Sequence, residues 1–243
     1  MKKCMIKFLS FFLAILSFTS CSQNNEEVII EEEVIIIPDN LYPSADTTIA
    51  NHSDWTKTHY PERIAEFKSD PLNFNEIVFI GNSITEQGED WGVKIDNPKG
   101  RNRGIAGDTS DGILARLNEI TFYKPEKVFL LIGINDLFHN PNDGQKIHDN
   151  IVNIIDAIQL KSPDTEIFVH TVLPTTTDSL ITKINNLNAL LENSASSKSY
   201  TFINIHQRFT DINGKMNMQY STDGVHLNDQ GYEIWSEIIK NSM

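Results

Sequence analysis

Cysteine is almost missing from this chain. Its two cysteines, Cys4 and Cys21, both fall in the opening stretch, so the rest has neither a disulfide framework nor a cysteine-based metal site and must hold together by packing. Basic charge is also scarce. Against 20 Lys and Arg stand 33 Asp and Glu, a net charge of −13 that argues against a nucleic-acid partner. Long apolar runs are few: the one from Phe8 to Phe18 is too short to cross a bilayer as a helix. What is present is an ordinary globular mixture, 243 residues with 40% hydrophobic and 22% charged side chains, which predicts one domain with a sizeable core.

Lys2, Lys3 and Lys7 precede that apolar run, and the small residues Thr19 and Ser20 lead from it into Cys21. The order of charge, apolar stretch and small residues predicts a secretory signal over residues 1–20. The Phe18-Thr19-Ser20-Cys21 junction resembles a bacterial lipobox, with Phe18 where leucine is usual. That resemblance implies lipidation of Cys21 and an extracytoplasmic protein held on the outer membrane, facing the periplasm or the cell surface. A soluble secreted protein cut nearby is the alternative. Residues 21–50 are expected to form an acidic tether. Its polar start, from Ser22 to Glu27, resembles a lipoprotein surface-export signal, and a solvated spacer fits equally well. The aliphatic block ending at Ile37 could add an edge strand, with the neighbouring glutamates guarding it against aggregation.

Residues 51–243 form the expected catalytic domain. Buried-strand patterns occur at Ile77–Ile80, Lys127–Ile132, Glu166–Val172 and Thr201–Ile205, with a weaker strand ending at Gly104-Ile105. Between them run helical patterns: Ile113, Leu114, Leu117 and Ile120; Ile147, Ile151, Ile154, Ile155 and Ile158; Ile181, Ile184, Leu187, Leu190 and Leu191. A last helix, capped by Asn228, would turn Ile234, Trp235, Ile238 and Ile239 inward. Repeated β-α units predict a parallel sheet covered on both faces, with sites at the carboxyl ends of its strands.

Four segments fall at such ends. Gly81-Asn82-Ser83 follows the first strand; Ser83 is either a helix N-cap or a hydroxyl presented at the strand tip. Around Gly107, a glycine would let a backbone N–H approach a developing oxyanion, or would serve only a turn, with Asp108 or Ser110 as a cap. Asn135, in Gly133-Ile134-Asn135-Asp136, could offer an amide donor or form an Asx turn. In Asp223-Gly224-Val225-His226, the spacing can bring a carboxylate to the imidazole and leave Nε2 to accept a proton. A metal reading of Asp223 and His226 lacks further ligands, because His139, His148 and His206 are not clustered with them.

Taken in order, the four segments resemble the blocks of the SGNH hydrolases, the GDSL-type esterases, over about residues 77 to 242. The resemblance implies a three-layer α/β/α fold with a flavodoxin-like, five-stranded parallel sheet. It makes Ser83 the nucleophile, His226 the base and Asp223 its orienting acid, with Ser83, Gly107 and Asn135 forming the oxyanion hole. It implies no cofactor and no metal. One position departs: the family usually carries Asp in the middle of Gly-Asp-Ser, and Asn82 stands here. That acid is outside the triad, so catalysis is expected to survive. The α/β-hydrolases share the order Ser, Asp, His, but their Gly-x-Ser-x-Gly elbow is missing.

The expected reaction is hydrolysis of small acyl esters, acetyl groups on carbohydrates foremost, through an acyl-enzyme. A lysophospholipase or thioesterase of the same fold is the enzymatic alternative, and a non-catalytic glycan-binding lipoprotein the alternative of another class. Trp91 could stack on a sugar ring or belong to the core, and Arg103 could meet a substrate carboxylate or a surface acid.

Overall fold

The computed structural model describes residues 35–243. The expected signal, Cys21 and the acidic start of the tether lie outside the described residues. Residues 35–41 belong to a separate unit, where they hold turns and no strand, so the expected edge strand is not formed at 35–37. The compact unit runs from Tyr42 to Met243 and so takes in residues 42–50, which composition assigns to the tether. There the Tyr42 hydroxyl donates to Glu119 Oε1 at 3.0 Å and reaches the Phe67 carbonyl at 3.2 Å.

The elements follow in the order α1 (Asp54–Ser69), β1 (Ile77–Gly81), α2 (Ser83–Glu86), α3 (Trp91–Lys94), β2 (Gly100–Gly104), α4 (Ser110–Ala115), α5 (Leu117–Tyr123), β3 (Lys127–Leu131), α6 (Ile134–His139), α7 (Gly144–Lys161), β4 (Glu166–His170), α8 (Asp178–Ser194), β5 (Thr201–Ile203), a 3-10 turn (His206–Phe209) and α9 (Asp229–Lys240). All five strands pair in parallel, in the order β2-β1-β3-β4-β5. This is the flavodoxin-like order, in which connections leave β1 and β3 in opposite directions and open a crevice at their carboxyl ends.

Every residue of β1 and β3 is buried, as central strands covered on both faces must be. Phe79, Phe129 and Phe168 occupy paired positions on β1, β3 and β4, and their rings stack at 4.9 and 4.6 Å. Trp91 continues the stack on Phe79 at 4.2 Å and is fully buried. Trp91 therefore belongs to the core and is not available to a sugar. Trp235 of α9 meets Trp91 edge-on at 4.7 Å, which fastens the last helix over the same face. The buried stripe of α9 runs through Tyr232, Trp235, Ser236 and Ile239, so Ile234 and Ile238 sit at its margin.

The helical pattern around residues 113–120 is broken at Arg116, whose φ of −120° and ψ of 20° separate α4 from α5. Helix α1 is the longest element that sequence patterning does not reveal. It carries Pro61 inside and only the sparse buried stripe Thr56, Tyr60, Ile64 and Phe67. Its start is nonetheless capped, since Ser53 Oγ accepts the Thr56 N–H at 3.1 Å.

Candidate active site

The site assembles at the carboxyl ends of β1, β2 and β3 and is closed by the loop before α9. Strand β1 leads into Asn82, whose extended backbone (φ −101°, ψ −150°) and Oδ1, accepting the Ile84 N–H at 3.0 Å, make it the cap of α2. Capping thus falls to Asn82, and Ser83 is released from it. Ser83 Oγ lies 2.9 Å from His226 Nε2.

The Asp223–His226 loop is fixed by its own hydrogen bonds. Asp223 Oδ1 accepts the Val225 and His226 N–H groups at 2.9 and 2.8 Å, while Oδ2 accepts from His226 Nδ1 at 2.7 Å. Burial acts to raise the Asp223 carboxyl, but the hydrogen bonds from the His226 backbone, the His226 ring and the Val225 backbone outweigh it and hold the pKa below its ordinary value. An ionised Asp223 keeps the proton on Nδ1, so Nε2 faces Ser83 as an acceptor. Gly224, at φ +88°, gives the loop its turn against Thr176.

Two further segments carry Gly107 and Asn135. Gly107 adopts φ +79°, and a Cβ there would sit 2.1 Å from Thr56 Oγ1, so backbone conformation and close packing both require glycine. Asn135 opens α6 after Gly133, and its Nδ2 donates to the Asp108 carbonyl at 2.9 Å. An amide nitrogen carries two hydrogens, so this bond fixes the plane of Asn135 and leaves the second hydrogen for a ligand.

Around Asp108, whose carbonyl accepts from Asn135, lies a charged cluster that sequence reading does not find. Asp108 is fully buried; its Oδ1 accepts from His52 Nε2 at 3.0 Å, and its Oδ2 accepts from Arg116 Nε at 3.0 Å and lies 2.9 Å from Nη2. Arg116 also donates to the Arg103 and Gly81 carbonyls at 2.8 and 3.1 Å, tying the ends of β2 and β1 together. The cap of α4 is Thr109, so neither Asp108 nor Ser110 fills that place. Ser110 Oγ donates instead to Asp136 Oδ1 at 2.6 Å, joining the second and third segments. Burial pushes the Asp136 carboxyl up, against the Ser110 hydrogen bonds that lower it. Glu86 supplies another tie: Oε2 accepts the Ala106 N–H, and both oxygens lie 3.0 Å from His59 Nε2. Arg103 is buried and paired with Glu119 at 2.8 Å, so it meets neither a substrate nor a surface acid.

The signals for these missed residues are weak in sequence. His52, Thr56 and His59 belong to the start of α1 or the residue pair just before it, and Arg116 sits at a helix break. Among the described residues, no group of three or more His, Cys, Asp or Glu side chains is placed to hold a metal ion.

Residues 79–234 match the family model of the GDSL-like lipase/acylhydrolases. The chain belongs to that family. It is an SGNH serine hydrolase with a five-stranded parallel sheet between layers of helices. A GDSL-like lipase from Bacteroides thetaiotaomicron is similar at 26% identity and a TM-score of 0.63, over 77% of this chain and 96% of that one. An acetylxylan esterase from Geobacillus stearothermophilus, 15% identical, shares the fold with a TM-score of 0.59 over 70% of this chain and 94% of that one. The N-acylneuraminate cytidylyltransferase of Escherichia coli is 27% identical over 189 residues, 73% of this chain. The chain spans 43% of that relative's length.

Proposed function

We propose that this hydrolase removes small acyl groups, acetyl foremost, from carbohydrate hydroxyls by way of a Ser83 acyl-enzyme. The observation that carries the reading is the relay from Ser83 Oγ to His226 Nε2 at 2.9 Å and from Nδ1 to Asp223 at 2.7 Å. His226 takes the Ser83 proton as Oγ attacks the ester carbonyl carbon. The tetrahedral oxygen is held by the Ser83 and Gly107 N–H groups and the second hydrogen of Asn135. Collapse breaks the carbon–oxygen bond to the alcohol, which leaves with the proton from His226. Water, deprotonated by the same imidazole, then releases the acid and restores Ser83. The reading needs no cofactor.

Support for a short acyl group comes from Glu86, a carboxylate tied to the Ala106 N–H and His59 beside the oxyanion segment. An alkyl chain laid there would strip water from a charge. The acetylxylan esterase likeness and the relative named for N-acylneuraminate both favour a sugar as the alcohol portion. Lipidation at Cys21 and an extracytoplasmic location complete the proposal, bringing the site to acetylated glycans.

The test is an acyl-length series of aryl esters together with acetylated xylan and sialic-acid fragments. Efficiency is expected to fall steeply beyond about four acyl carbons, since an added methylene gains its ~0.8 kcal/mol only when buried on apolar surface and Glu86 offers a charge instead. Acetate is expected from a glycan without added metal. Efficiency that climbs through octanoyl esters, with no acetate from any glycan, would replace this reading with a lipid or thioester hydrolase.

A further inference from the structure

The chain has three tryptophans, and two of them, Trp91 and Trp235, are 0% and 1% exposed. Trp55 is 60% exposed, yet it is held in place. Its indole stacks on the His59 imidazole at 4.7 Å with an angle of 22° between the planes. His59 in turn is pinned by both Glu86 oxygens at 3.0 Å. The chain of contacts runs from an exposed ring to the helix that carries Ser83.

The position of that ring is defined by its neighbours. Thr56, the next residue, lies against Gly107, whose Cβ would come within 2.1 Å of its hydroxyl. Glu86, at the far end of the brace, accepts the N–H of Ala106, the residue before Gly107. Trp55 and His59 therefore stand one turn apart on α1, linked to the Ala106-Gly107 segment through Thr56, which neighbours Trp55 in the chain, and through the Glu86 carboxylate that holds His59.

We propose that Trp55 is a stacking platform for a pyranose ring of the ester's alcohol portion, forming a sugar subsite beside the oxyanion segment. The inference rests on the carbohydrate reading above and names the residue that would implement it. A sugar presents a flat face of C–H groups edged by hydroxyls, so it needs one rigid aromatic surface with polar groups around it. Trp55 stands among Asp54, Lys57 and Thr58, all exposed, with Glu62 one turn beyond His59. An acyl chain would need a continuous apolar strip, and these neighbours supply none. Because His59 already fixes the indole, little side-chain freedom remains to be lost when a ring settles on it.

The test compares the wild type with Trp55→Ala and Trp55→Phe on an acetylated xylo-oligosaccharide and on 4-nitrophenyl acetate. The ratio of kcat/KM for the oligosaccharide to that for the aryl ester is expected to fall about tenfold or more in Trp55→Ala, mostly through KM, and to be largely restored in Trp55→Phe. A second arm titrates the unacetylated oligosaccharide calorimetrically. Binding to the wild type that is lost in Trp55→Ala supports the platform even if no glycan releases acetate, in which case only the deacetylation reading falls. Deacetylation by the wild type with an unchanged ratio in Trp55→Ala overturns the platform and leaves the deacetylase reading standing. A wild type that neither deacetylates nor binds the oligosaccharide overturns the platform as well.

Discussion

The Asn135 side chain donates one amide hydrogen to the Asp108 carbonyl at 2.9 Å. The bond fixes the direction of the other hydrogen, so the donor is aimed before substrate arrives. Preorganised donors act on charge that develops in the transition state, and Asn135→Ala is accordingly expected to lower kcat by about 10²–10³ while KM moves less. Steady-state kinetics on an aryl acetate checks this. A loss confined to KM would reduce Asn135 to a substrate contact.

Asp108 holds both that carbonyl and a buried guanidinium. Asp108→Ala would leave Arg116 and His52 without their shared carboxylate, and breaking such a buried pair costs roughly 3–5 kcal/mol. The urea midpoint should drop accordingly. A change under about 1 kcal/mol would mean the cluster is not a structural tie.

His170 sets a pH dependence on stability. Burial lowers its pKa from 6.5 to about 3, and its Nε2 accepts the Trp235 indole N–H at 3.3 Å, next to Phe129. The unfolded chain takes up a proton below about pH 6.5 that the folded chain refuses, so this group costs nothing above that pH. As the pH falls from there toward 3, stability drops by up to ~1.4 kcal/mol per unit. Between about pH 7 and pH 5 the loss should be ~2 kcal/mol, and His170→Gln should flatten that part of the curve. Equal slopes in both proteins, from urea titrations across pH, would assign the acid loss to other groups.

Cys21 carries the anchoring proposal. Cys21→Ser should move the protein out of the membrane fraction and block incorporation of labelled fatty acid. Unchanged fractionation would refute lipidation.

The strands and the pairing of Asp223 with His226 were legible in sequence because each signal is local. Short apolar runs such as the one in Lys127–Leu131 announce a buried strand. Asp223 and His226 share one loop, so their contact follows from chain geometry alone. The residues that brace the site were not legible, because their signals are long-range. His52 reaches Asp108 across 56 positions and His59 reaches Glu86 across 27, and no pattern in α1, with Pro61 inside and a thin buried stripe, marks that helix as a wall of the site. Trp91 and Trp55 show the same limit. Composition treats the two alike, and only packing makes Trp91 a core ring on Phe79 and Trp55 an exposed one on His59.

The most direct test of the account is the site of covalent labelling by a fluorophosphonate. Attack by Ser83 Oγ on phosphorus, with departure of fluoride, should give one adduct per chain, mapped to Ser83 by peptide mass spectrometry. Labelling and aryl-acetate hydrolysis should both vanish in Ser83→Ala, with its urea midpoint unchanged. An adduct on another residue, or hydrolysis that persists in Ser83→Ala, would contradict the assignment of Ser83 as the nucleophile.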